Sequence, residues 1–76
     1  MIISRLRPLP PRKLIRVLKE LGWEEHHQTG SHLSFRHPNY PDLRIVVPIH
    51  STISTGVIYK IIKKLDMTVE EFMRRV

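Results

Sequence analysis

The 76 residues include no cysteine and carry thirteen Lys and Arg against seven Asp and Glu, for a formal net charge of +6. A chain this short buries only about 60 to 65 % of the surface its unfolded form exposes. It leaves no room for a cofactor domain and lacks the thiols for disulfides or thiolate zinc sites. The positive balance favours a polyanion, nucleic acid first, or an acidic protein as partner.

Met1 to Leu9 holds Arg5 and Arg7 but no apolar run of signal-peptide length. Nothing later approaches the ~20 apolar residues of a membrane span, so the expectation is a cytoplasmic protein, one domain over residues 1–76, with no membrane contact. Leu14, Ile15, Leu18 and Leu21 fall at i, i+1, i+4 and i+7, one apolar stripe on a helix from Pro11 to Leu21 with Gly22 past its end. Trp23 to Thr29 reads as a first strand, and a Thr29-Gly30-Ser31 turn leads into a second, His32 to His37, as a hairpin. Pro38-Asn39-Tyr40-Pro41-Asp42 reads as a turn. Leu43, Ile45 and Val47 then alternate with Arg44 and Val46 in a third strand that Pro48 stops.

Ile58, Ile61, Ile62 and Leu65 predict a second helix with Ser54 or Thr55 as N-cap. Thr68-Val69-Glu70-Glu71 is a capping box opening a short third helix that turns Phe72 inward. The predicted fold class is α+β: α-β-β-β-α with a three-stranded antiparallel sheet, helices on one face, the other face open, and a short C-terminal helix.

Gly30-Ser31-His32 is the segment that points to chemistry. Alternation buries Leu33 and Phe35 and sets His32, Ser34 and Arg36 on the opposite face, so a base, a hydroxyl and a cation share one surface. Arg36 is the first candidate phosphate contact, with Ser31, Ser34, Arg44 and Lys60 as further candidate RNA contacts. Set against this, a histidine on an open strand face is most often simply solvated. His26 and His27, adjacent on the first strand, are expected to face opposite sides, and His37 to sit at a turn. No His pair has the i, i+4 spacing of a zinc site and no Asp or Glu adjoins the Gly30-Ser31-His32 segment, so no metal and no cofactor are expected. Trp23, Phe35 and Phe72 are read as core, whereas Tyr40 and Tyr59 can reach the surface, and Tyr40 is the one candidate for stacking on a base.

Three segments in order, Gly30-Ser31-His32-Leu33-Ser34-Phe35, Ile45-Val46-Val47-Pro48-Ile49-His50 and Asp66-Met67-Thr68-Val69-Glu70-Glu71-Phe72, resemble the HicA (YcfA-like) toxin family, as does Ser54-Thr55-Gly56 opening a helix. The resemblance runs from about Leu14 to Phe72. It departs from the family pattern at Ser54-Thr55-Gly56, where many relatives have Pro-Gly, and at the Pro-Pro-Arg-Lys start of the first helix. It implies a double-stranded-RNA-binding-domain-like fold and a type II toxin–antitoxin toxin acting as a metal-independent mRNA interferase. It also implies a HicB-type antitoxin as partner and His32 as the catalytic base on a ribose 2′-hydroxyl. His50 is the candidate second acid, provided the end of the third strand brings it near His32. The alternative reading is a non-catalytic RNA-binding module of the same shape, and a plain acidic-protein binder is a further one.

Overall fold

The computed structural model describes residues 6–76. Arg5, counted above among the basic residues, and the rest of Met1–Arg5 lie outside the described residues. The first helix, α1 (Pro11–Glu20), opens with proline in its first turn, where the missing N–H removes no hydrogen bond the helix would make. Leu14, Val17 and Leu18 are fully buried, so the apolar stripe is rotated from the one expected. Val17 takes a central place, and Ile15 and Leu21 are only half-buried flanks. The helix ends in a Schellman arrangement: Trp23 N–H donates to Leu18 O (2.9 Å) and Gly22 N–H to Lys19 O (3.0 Å), with Gly22 at φ +96°.

Three antiparallel strands follow in a meander, β1 (Glu24–Thr29), β2 (His32–His37) and β3 (Tyr40–Pro48), with β2 in the centre. The β1–β2 connection is the two residues Gly30 and Ser31. Gly30 has φ +57° and Ser31 is not left-handed, the pattern of a II′ hairpin turn with glycine at its first central position. The second turn is shorter than Pro38–Asp42. Only Pro38 and Asn39 connect the strands, and Tyr40 already pairs with His37.

Between Arg36↔Arg44 and His37↔Tyr40 the register slips, which leaves Pro41, Asp42 and Leu43 without partners on β2. Proline, which has no ladder donor, is tolerated there because β3 is an edge strand. For the same reason Leu43 is 38 % exposed and does not join the inward alternation expected of it. β3 stops at Pro48 as expected, opposite His32, with one further backbone bond beyond it, from Ile49 N–H to Ser31 O (2.8 Å).

α2 (Thr55–Lys64) is capped by Ser54, whose hydroxyl accepts from Val57 N–H, and α3 (Val69–Arg75) by the complete Thr68–Glu71 capping box. In that box Glu71 N–H donates to Thr68 Oγ1 (3.1 Å) and Thr68 N–H to Glu71 Oε1 (2.8 Å). Leu33, Phe35, Ile45 and Val47 from the sheet join Leu14, Leu18, Ile58, Ile62 and Phe72 from the helices in one buried cluster. All helices therefore cover one sheet face. Full burial of each such side chain is worth about 1.5–3 kcal/mol before chain entropy is subtracted. Leu9 and Ile53 pair backbone to backbone through two hydrogen bonds (3.1 and 2.8 Å), clasping the segment before α1 to the loop before α2. The order and one-sided layering are those of the α+β fold expected. Among the described residues no helix is long and apolar enough to cross a membrane.

Candidate functional site

The uncovered face of the sheet is built from alternate residues of three strands, and the pairing register arranges them in rows. Thr29, His32 and Pro48 form one row, His27, Ser34 and Val46 the next, and Glu24, Arg36 and Arg44 the third. Directly paired residues of an antiparallel sheet lie on the same face, so each row is a line of neighbours. His32, Arg36 and Arg44 are exposed and Ser34 is half-buried, whereas Leu33, Phe35, Ile45 and Val47 between them point into the core. The alternation expected from His32 to Arg36 holds at every position, and His37 continues it inward.

Arg36 directly opposes Arg44. Like charges in a cross-strand pair are destabilising by an amount of the order of a favourable pair, ~0.2–1 kcal/mol. The sole ion pair among the described residues is Lys19–Glu25 (2.8 Å), away from this face, and neither guanidinium donates to another described residue. Two unpaired guanidinium groups beside each other on an exposed face make a receptor for an anion with several oxygens, such as a phosphodiester.

The other expected residues are placed as follows. Ser31 sits in the turn just before His32, its carbonyl taken by Ile49 N–H. Lys60 is exposed on α2, at the β3 edge of the sheet, where it lines a groove of about 200 Å³ with Val46, Val57 and Lys64. It therefore flanks the face instead of belonging to it. His50 is exposed in a bend past the end of β3, outside the strand ladder.

The remaining histidines separate sharply. His37 sits at the turn as expected, but it is also buried: its Nδ1 accepts from Asn39 N–H (3.0 Å), so its Nε2 carries the proton and donates to Leu21 O (3.0 Å). It also packs edge-on against Trp23 (5.2 Å) and beside Tyr40 (4.9 Å). This histidine ties the end of α1 to the β2–β3 turn and is structural. Tyr40 is 53 % exposed, stacked at 6.4 Å on Trp23, and borders a cleft of about 370 Å³ with Lys64 and Asp66 at the end of β2 away from His32.

Simple alternation fails on β1. A register shift between Glu25 and His27 makes His26 an extra, bulged residue, and His27 falls in register with Ser34 on the open face. The sequence signal for this was available: counting back from the tight Gly30 turn, Thr29 opposes His32, so His27 shares its face. Among the described residues no group of three His, Asp or Glu side chains is placed to hold a metal ion.

Residues 11–67, most of the chain, match the family described as the HicA toxin of bacterial toxin–antitoxin systems. A comparison with curated proteins finds no match.

Proposed function

Because the chain belongs to the HicA family of toxins of bacterial toxin–antitoxin systems, we propose that its open sheet face cleaves mRNA without a metal ion, with His32 as general base. The observation that carries this reading is the grouping of His32, Ser34, Arg36 and Arg44 on one uncovered surface, with no side-chain partners among the described residues. In the proposed reaction an imidazole nitrogen of His32 takes the proton of a ribose 2′-hydroxyl. The 2′-oxygen bonds to the adjacent phosphorus as the P–O5′ bond breaks, and the leaving 5′-oxygen takes up a proton. The products are a 2′,3′-cyclic phosphate and a free 5′-hydroxyl. Arg36 and Arg44 hold the non-bridging oxygens as charge gathers on them. Ser31 and Ser34 contact the backbone beside the reacting phosphate, and Lys60 follows the strand where it leaves the face at the β3 edge.

The same surface suits inhibition by occlusion. A HicB-type antitoxin carrying carboxylates against Arg36 and Arg44 would cover His32 and neutralise the anion receptor in one contact. The place of action is the cytoplasm, where mRNA and such a partner meet.

The test compares wild type and His32→Ala on a labelled single-stranded RNA in EDTA, beside an all-deoxy copy. Cleavage of the RNA alone, ending in a cyclic phosphate and abolished in the variant, is the expected result. Binding of RNA by both proteins with no cleavage by either would replace this reading with a non-catalytic RNA-binding module.

A further inference from the structure

Transfer of a phosphoryl group to the 2′-oxygen moves two protons, one off the nucleophile and one onto the leaving group, and the cleavage reading above assigns only the first. Resting on that reading, we propose that His27 is the general acid that protonates the leaving 5′-oxygen. His27 is in register with Ser34 and Thr29 with His32, so His27 and His32 are diagonal neighbours across the β1–β2 pair on the open face. Diagonal positions lie ~7–8 Å apart at the backbone. Two imidazoles rooted at that spacing can each come within ~3 Å of an apical oxygen on opposite sides of one phosphorus. An in-line displacement requires that geometry, because the entering and leaving oxygens must be on opposite sides.

Two further observations single out His27. The strand bulges at the residue immediately before it, a distortion found both at sheet edges and beside active sites. Its imidazole makes no hydrogen bond to any described residue and is exposed, whereas both ring nitrogens of His37 are committed. His50, the acid suggested by the sequence, follows a backbone contact at Ser31 but has left the ladder. Titratable or charged groups that share the face with His27 are Glu24 from its own strand, His32 and Arg36 from β2, and Arg44 from β3. The helices contribute none, since they pack on the other side.

The experiment uses the intact protein in EDTA with two RNAs that differ at one linkage: an ordinary 5′-oxygen leaving group, and a bridging sulfur whose thiolate departs without a proton. His27→Ala is expected to lose ~10²–10³ in rate on the oxygen linkage and less than about tenfold on the sulfur linkage, and to lose the alkaline limb of the wild-type pH profile. His32→Ala loses activity on both. The proposal is overturned if His27→Ala matches wild type on the oxygen linkage, if it loses equally on both linkages, or if sulfur rescues His50→Ala instead. Wild type that cleaves neither linkage while binding RNA refutes the cleavage reading itself, and this inference with it. A failure of His27 alone is distinguished because wild type then still cleaves. Thermal melting of each variant establishes that an exposed imidazole was removed from a folded chain.

Discussion

Replacing Gly22 with alanine tests the packing that holds the end of α1 to the sheet. At φ +96° an alanine pays a left-handed backbone penalty of about 1–2 kcal/mol. Its Cβ would lie 2.7 Å from His37 Nε2, closer than such atoms approach without movement. Displacing the ring sacrifices the 3.0 Å hydrogen bond to Leu21 O, worth about 1 kcal/mol, and disturbs the contact with Trp23. The expected total is ~2–4 kcal/mol. For a chain of this size each kcal/mol shifts Tm by about 4–8 °C, so circular-dichroism melts should show a drop of ~10–25 °C. In a His37→Ala background the clash is gone and only the backbone penalty remains, so the same substitution should cost about 1–2 kcal/mol there. Equal cost in both backgrounds, or a Tm within ~3 °C of wild type, would refute the reasoning.

Charge, capping and backbone strain supply further expectations. Arg36→Ala and Arg44→Ala should each flatten the slope of log RNA affinity against log salt by ~0.7, and an unchanged slope would remove that residue from the phosphate path. Hydrogen bonds from the Thr68 amide and hydroxyl hold the Glu71 carboxyl below the usual carboxylate range. Because the folded value is the depressed one, its stabilisation is present above the unfolded value and lost as pH falls through the folded one. The Tm gap between wild type and Glu71→Gln should therefore be widest at neutral pH and close in acid, whereas a gap independent of pH would contradict the capping role. Asp66 follows α2 at φ +56°, a conformation glycine adopts without a side-chain penalty. Asp66→Gly should gain about 0.5–1 kcal/mol, and a lower Tm would show that the aspartate side chain makes a compensating contact.

Periodicity exposed most of the fold because the strongest local signals agree with the packing. Gly30, the Leu33–Phe35 alternation, the isoleucines of α2 and the Thr68–Glu71 box each specify one local geometry, and each is found where expected. The departures lie where pairing, a non-local property, overrides pattern. Pro41 and Asp42 have turn composition yet continue β3, because the register slip opposite Arg36 and His37 frees them from donating to β2. His26 breaks the alternation of β1, which no composition rule announces. Val17 is fully buried while Ile15 and Leu21 are half-buried, since a stripe on one helix does not reveal where its neighbours press hardest. The grouping of Ser34 and Arg36 with His32 was legible from a period of two alone. The place of Arg44 beside Arg36 required the cross-strand register, whereas the face of His27 follows from counting back from the Gly30 turn.

The central position of β2 bears on how such a molecule is disarmed. Either edge strand can separate while β2 keeps its ladder to the other, so such an opening frees only alternate amides from Leu33 to Arg36, and β2 itself leaves the sheet only through global opening. Proteases that sample partly opened forms would then trim the periphery long before they reach the strand that carries His32. On the proposed reading, a cut at the periphery leaves the face of β2 in place, and silencing it quickly calls for a partner that covers it.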